Sequence, residues 1–325
     1  MLGVLAVGLA SVLPLPWARA AGLALSVRED ADGVYVRETR LQHVRVDHDP
    51  RVAADGPRIR RMLIDGMVHG STDLDDPTWT GYGYEGIYAA VTDRVAPRER
   101  PPRALFLGGG PYVFPRRLLA VRPDAIADVA EIDPGVTEAA VDALALSERP
   151  PFRIAHEDAR TFVRDRPAGS PPYDLVYGDA FNAYSVPFHL TTIEFARAVK
   201  ASMAPDGVYL VNVIDVFDSG LFVGAFVETL SRVFVHVELT SLERDGAKQE
   251  NFVLVASDRA IDFEGLRRPD PREKGGGEGI PVARYDAGDL GALKTRCGGL
   301  VLTDDFAPVE NLLAPVVAGR VGPRP

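Results

Sequence analysis

The sequence predicts an α/β protein: a mostly parallel, doubly wound sheet, preceded by a small β-strand domain and an apolar N-terminal segment. Two observations carry that class. From Arg103 onward, short apolar runs alternate with amphipathic stretches of helical period, as strands joined by crossover helices do. Between Tyr35 and Ile64 the apolar period shortens to two, with Gly, Asp and Pro between the runs. The chain divides accordingly into an anchor-like segment 1–26, a β-strand domain 27–80 and a ligand-binding domain 81–325.

The opening stretch "MLGVLAVGLASVLPLPWA" has no charge before Arg19. Three readings fit it. A signal peptide would use "ARA" before Ala21 as its cleavage site but lacks a positive n-region. A membrane anchor would place Pro14, Pro16 and Trp17 at the interface, with Arg19 and Arg28 on the cytoplasmic side. A buried helix is the third. The anchor is preferred, so the expected location is a membrane with the domain 81–325 in the cytoplasm; a cytoplasmic protein is the alternative.

In the β-strand domain "VYVRE", "HVRVD" and "RRMLIDG" read as short strands separated by the turns "DHDPR" and "ADGPR". "DPTWTGYGYEGIYAAV" reads as a loop and then a helix. "RALFLG" is a strand, "YVFPRRLLAV" a short helix and "AIADVAEID" a strand. "PGVTEAAVDALAL" is a helix opened by Pro134. "FRIA" and "YDLVYGDA" are further strands, and "TTIEFARAVKASM" is a helix stopped by Pro205 and Gly207. The strand "GVYLVNV", the helix "GLFVGAFVETLSRVF" and the strands "VHVEL" and "NFVLVAS" complete the sheet. Residues 267–279, "RRPDPREKGGGEG", read as a flexible surface loop.

A formal net charge of −10 over 325 residues argues against a general nucleic-acid binder and suits a cationic substrate. The single cysteine, Cys297, excludes an internal disulfide framework and a thiolate zinc cluster. The six histidines are scattered, so no metal site is expected.

Three features at successive strand ends suggest a nucleoside site. Gly108, Gly109 and Gly110 follow the first strong strand, where a main chain without side chains can approach a ligand. The loop lacks the GxxxxGK[ST] spacing of a phosphate loop. Glu131 ends the next strand about twenty residues on, where a carboxylate can accept ribose hydroxyls or simply face solvent. Asp158, followed by Ala159, could accept an adenine amino group or cap the helix "ARTFVRD". Asp179 leaves the fourth strand where a substrate would meet the nucleoside, unless it caps a helix or pairs with a base.

The order of "LQHVRV", "MLIDGMVHG", "LGGG", "EIDPGV", "EDAR", "YDLVYGDAF", "SVPFHLTTIEF" and "LTDDFAPVENLL" resembles the spermidine/spermine synthases, the polyamine aminopropyltransferase family. The last two motifs echo its bacterial members whose synthase domain follows membrane helices. The resemblance implies a Rossmann-like methyltransferase fold behind a small β-domain. It implies transfer of an aminopropyl group from decarboxylated S-adenosylmethionine to a small-molecule amine, with no permanently bound cofactor. By the family's motifs, Gln42, Gly108, Gly109, Gly110, Glu131, Asp158 and Ala159 would hold the nucleoside. Asp179 would be the catalytic acid, and Tyr84, Glu85 and Asn182 would lie at the acceptor site. A homodimer is also implied.

Two departures accompany the resemblance. Pro111 stands where the family's glycine loop carries an aspartate for the aminopropyl amine, and Asn182 where its catalytic loop carries a second aspartate. His69 replaces a glutamine. These keep open three alternatives: an S-adenosylmethionine-dependent methyltransferase with Arg116 or Arg117 meeting the donor carboxylate, a dinucleotide oxidoreductase, and a non-catalytic nucleoside-binding domain. Asp304 and Asp305 could restore charge at the mouth of the site, but a structural role is favoured.

Overall fold

A computed structural model describes residues 27–29, 34–53, 56–180, 186–270 and 277–318. The apolar segment 1–26 lies outside the described residues, as does Asn182. Among the described residues no helix is long and apolar enough to cross a membrane.

The first sheet is a sequential antiparallel meander of β1 (Val27–Glu29), β2 (Tyr35–Glu38), β3 (His43–His48), β4 (Ile59–Ile64) and β5 (Met67–Asp73). Its alternation follows the two-residue period of a strand. Val44, Val46, Met62 and Ile64 are buried, while the arginines between them carry charge to the other face. The apolar side packs on the helix that begins at Pro134.

The second sheet begins after α1 (Gly83–Val95). Its first half runs β6 (Arg103–Leu107), α2 (Val113–Val121), β7 (Ile126–Ala130), α3 (Pro134–Ala143), β8 (Arg153–Ala155), α4 (Ala159–Arg164) and β9 (Tyr173–Gly178). Then come α5 (Ile193–Ser202), β10 (Met203–Val216), α6 (Leu221–Ser231), β11 (His236–Ser241) and β12 (Gln249–Ser257). The hairpin β13 (Arg267–Arg268) and β14 (Ile280–Pro281) precedes β15 (Ala283–Tyr285) and the helices α7 (Ala287–Arg296), α8 (Val309–Leu312) and α9 (Ala314–Ala318).

The eight strands lie in the order β15-β11-β12-β10-β9-β6-β7-β8. Neighbours from β8 to β10 are parallel, and β12, β11 and β15 are antiparallel. The sheet is therefore mostly parallel at its centre, with an antiparallel edge. Both faces of the central strands are covered, which is why their sequences are predominantly apolar. In β6, Ala104 and Phe106 join the core under α1, α2 and α3, whereas Leu105 and Leu107 join the one under α5 and α6.

Helix starts have local causes. The Asp133 side chain accepts the Gly135 N–H and Pro134 occupies the first turn of α3. Thr192 caps α5 in the same way. Asp286 and Asp289 form a reciprocal capping box on α7, a helix the sequence reading did not assign. The tract 267–279 is not all loop: its flanks pair as β13 and β14, and residues 271–276 lie outside the described ones.

The terminal "TDDFAPVEN" closes the fold. Asp304 accepts hydrogen bonds from Arg160 Nη1 (2.6 Å) and Thr192 Oγ1 (2.7 Å), and its N–H donates to Glu194 (3.0 Å). This ties the chain end to α4 and α5. Since Asp304 is partly exposed, Asp304→Ala is expected to cost only about 1 kcal/mol. Thermal denaturation should therefore show a melting temperature a few degrees lower at most, with turnover kept.

Candidate active site

Strand order reverses between β6, which leads outward to β7 and β8, and β9, which leads to β10 on the other side. Ligands in doubly wound sheets sit beyond the carboxyl ends of the strands at that point. A cleft with a cavity volume of about 160 Å³ opens there. Gly108 after β6, Glu131 after β7, Asp158 after β8 and Asp179 after β9 all line it. Gln42 and His69 close it from the first sheet, and Ala159, Pro187, His189 and Leu190 from the other side.

Asp179 ends β9, held by its own N–H donating to Leu107 O (2.9 Å). Its carboxylate accepts the Tyr84 hydroxyl (2.8 Å) and the Asn212 amide (3.0 Å). Asn251 in turn donates to Asn212 Oδ1 (2.9 Å), so a chain of two donors running from β12 through β10 fixes the acid, with Tyr84 of α1 as a third, separate donor. Burial pushes Asp179 up to about 6, and the Asn212 and Tyr84 hydrogen bonds oppose that shift. The result is an oriented carboxylate that changes protonation near neutral pH.

Glu131 does more than line the cleft. Its Oε2 accepts the N–H groups of Gly109 (2.8 Å) and Gly110 (3.2 Å), and Oε1 accepts that of Asp133 (2.8 Å). The acid thus shapes the glycine loop and starts α3 while lining the cleft. Burial raises its pKa, and these three backbone donors hold it down in part. Asp158 likewise has two duties: Oδ1 accepts Thr161 N–H (3.0 Å) and caps α4, while Oδ2 meets His189 Nε2 (2.9 Å). Burial pushes Asp158 upward, but the His189 and Thr161 hydrogen bonds outweigh it and leave it below the usual carboxylate range.

Several sequence expectations are corrected by position. Glu85 does not line the cleft. It is buried at the start of α1, where its carboxylate accepts Tyr82 N–H (3.0 Å), and burial pushes it up to about 8. Tyr84 is buried too and reaches the site only through Asp179. Gly109 is covered by the Tyr112 ring, whose hydroxyl bonds Thr137 (2.6 Å). Arg116 and Arg117 do not face the cleft: Arg116 donates to Leu144 O (3.2 Å), and Arg117 lines a separate cavity. Pro111 is buried against Gly70 of β5, so position 111 faces the first sheet and not the cleft.

Other cleft residues escaped the sequence reading. His69 was noted only as a departure from the family; its Nε2 is enclosed without a hydrogen-bond partner among the described residues, and burial lowers it to about 4. Ile132 lines the cleft yet is 53% exposed, an apolar surface that a flat base would cover. Asn212 and Asn251 could have been suspected, because an amide inside an apolar central strand must find a partner.

Charge sets the chemistry. Glu131, Asp158 and Asp179 line the cleft, and no Lys or Arg does so among the described residues. Nor do the described residues include a group of three His, Cys, Asp or Glu that could hold a metal. This fold and this cleft define a class: a Rossmann-like, methyltransferase-type α/β protein whose acids gather at the strand-order reversal.

No protein-family model matches the chain. It is 31% identical over 113 residues to the polyamine aminopropyltransferase of Vibrio vulnificus, covering 35% of this chain and 38% of that one. It is 25% identical over 286 residues to a probable polyamine aminopropyl transferase of Bifidobacterium longum, covering 81% and 61%. The crystal structure of a probable spermidine synthase from Corynebacterium glutamicum shares the fold with a TM-score of 0.69 at 20% identity, over 84% of this chain and 97% of that one. The chain is thus similar in sequence to polyamine aminopropyltransferases and shares the fold of a probable spermidine synthase. It spans less than two thirds of the length of these two curated relatives.

Proposed function

We propose that the cleft transfers the aminopropyl group of decarboxylated S-adenosylmethionine to a small di- or polyamine and releases methylthioadenosine. The observation that carries this is a site lined by three carboxylates and by no basic side chain among the described residues. A sulfonium donor and an ammonium acceptor are both cations, and such walls attract them. A carboxylated donor would need a cation beside its carboxylate, and both Arg116 and Arg117 lie elsewhere.

Glu131 would accept the ribose hydroxyls with the lone pairs its backbone donors leave free, and Asp158 would face the base beside Ala159 and Gln42. The base would lie against Ile132 and Leu190. The acceptor amine must lose a proton before its lone pair can attack the carbon beside sulfur. Asp179, ionised above about pH 6, takes that proton while Tyr84 and Asn212 hold its carboxylate in place. The new C–N bond forms as the C–S bond breaks, and its electron pair goes to sulfur, leaving a neutral thioether. Alignment of the two cations supplies much of the rate. The apolar segment 1–26 supports attachment at a membrane, and the family supports a homodimer.

One position favours a second reading, nucleoside binding without turnover. With Pro111 turned onto Gly70, no carboxylate at that place grips the donor amine. Calorimetry of the full chain with carboxylated and decarboxylated donor, followed by chromatography with putrescine present, separates the readings. Decarboxylated donor is expected to bind at least tenfold more tightly, and methylthioadenosine to appear only with the amine. Tighter binding of the carboxylated donor, or binding with no product from any diamine, would sink aminopropyl transfer.

A further inference from the structure

Among the described residues, Arg117 is a buried cation left without hydrogen-bond acceptors. It is 8% exposed, its Nε is enclosed without an acceptor, and its guanidinium makes no hydrogen bond or ion pair with any described residue. The Phe114 ring lies 6.0 Å away, at the outer limit of a cation–π contact, and Asp93 attracts the guanidinium only from beyond ion-pair distance. Burying a guanidinium without acceptors is costly, so a fold that keeps one leaves room for a partner.

That room exists. Arg117 lines a cavity of about 430 Å³ between the last turns of α1 and α2, at the opposite end of the sheet from the cleft. Arg98 and Arg122 line it too. Arg98 meets only the backbone carbonyl of Asp93, at 3.5 Å, and Arg122 is shared between Asp124 and the Pro97 carbonyl. Asp93 is the other lining acid; it forms no ion pair within 4.0 Å of any of the three. Burial raises its pKa, and Arg117, Arg98 and Arg122 pull it back. Three guanidiniums thus face two carboxylates, one of them already taken by Arg122.

We propose that this cavity is an anion site for a phosphate group, seated on Arg117 and closed by Arg98 and Arg122. Guanidinium forks match tetrahedral oxyanions, and three forks, Arg117 and Arg122 from α2 and its C-cap and Arg98 from beyond α1, suit three or four acceptor oxygens better than the two of a carboxylate. The negative ends of α1 and α2 point toward the cavity and oppose an anion, so affinity rests on the arginines alone. The volume exceeds what one phosphate fills, which favours a phosphomonoester over the free ion.

The test is titration of the full chain at constant ionic strength with inorganic phosphate and, separately, methyl phosphate, read by calorimetry and melting temperature. Saturable binding that raises the melting temperature is expected, tighter for the ester; a tighter free ion would keep the site and name inorganic phosphate as its ligand. Arg117→Met should weaken binding at least tenfold. Arg98→Ala, at an exposed position with no folding risk, should weaken it severalfold, and Asp93→Asn should tighten it. Asp179→Asn, in the cleft, should leave it unchanged, so the result does not depend on aminopropyl transfer. An equal response in wild type, Arg98→Ala and Arg117→Met would overturn the site, as would loss of the response in Asp179→Asn. Asp93→Asn lowering stability without tightening phosphate would also overturn it, by making Asp93 the water-bridged partner of Arg117.

Discussion

Asp179→Asn is expected to lower turnover by roughly 100-fold or more while leaving the melting temperature unchanged or raised. The first half follows from the proposed proton transfer, because an amide cannot take the proton that an acceptor amine would have to lose. The second half follows from the sign of the shift. Asp179 titrates at about 6 when folded, against 3.8 when free, so the unfolded chain releases the proton at lower pH than the folded one. Stability is therefore lost as pH rises from about 4 through about 6, and at neutral pH the charge is carried at a cost. Asparagine removes that cost. It also fits the hydrogen bonds: its oxygen can accept from Asn212, and its NH₂ can donate to a Tyr84 hydroxyl that reverses role.

The same acid sets the pH profile. In wild type kcat/KM should halve near pH 6 on the acid side, and in Asp179→Asn the residual rate should lack that limb. Steady-state rates between pH 5 and 9 with parallel melting curves check both. A variant that keeps its rate would remove Asp179 from catalysis. One that melts ~5 °C or more lower would make the acid a structural group instead.

How far the sequence displayed all this depended on whether one element or several were involved. The central strands β6, β9 and β10 were readable because burial on both faces leaves mainly apolar residues in them. Glu131 and Asp158 were readable as strand-end acids. The cap that Asp158 puts on α4 was readable too, but the donors Gly109, Gly110 and His189 were not, since they come from other segments. Glu85 was misplaced for a related reason. It looked like a substrate acid beside Tyr84, yet one turn of helix carries it under Tyr82, where it satisfies an amide that has no helical acceptor.

The Asn251–Asn212–Asp179 chain needs the pairing of β10 with β12, which are antiparallel and offset, and no local pattern announces that register. Pro111 shows the converse. Its difference from the family was evident, whereas the direction it faces was set by how closely β5 approaches the glycine loop.

Gly108→Ala should be as damaging to activity as the loss of Asp179, and unlike that change it should also cost stability. Gly108 adopts φ +101°, outside the range a side chain tolerates, and that alone costs about 1–3 kcal/mol. Space is the second obstacle. A Cβ here would lie 2.4 Å from the carbonyl oxygen of Asp179 and 2.9 Å from its carbon, both backbone atoms. Neither side can yield cheaply, because Gly108 N–H is bonded to Ala130 O and Asp179 N–H to Leu107 O, each at 2.9 Å. Relief must push the end of β9 away, and Asp179 with it, out of line with Tyr84 and Asn212. Gly110→Ala is the control: φ is +49° there, and no heavy atom lies within 4 Å of the added carbon. It should cost only about 1–2 kcal/mol of left-handed strain and keep Asp179 in place. Melting temperature and kcat measured on the pair therefore test whether the first glycine serves the ligand or the acid beside it. Equal loss at both positions would mean that the loop tolerates no side chain at all, and the close approach of β6 to β9 would not be what sets the Asp179 carboxylate.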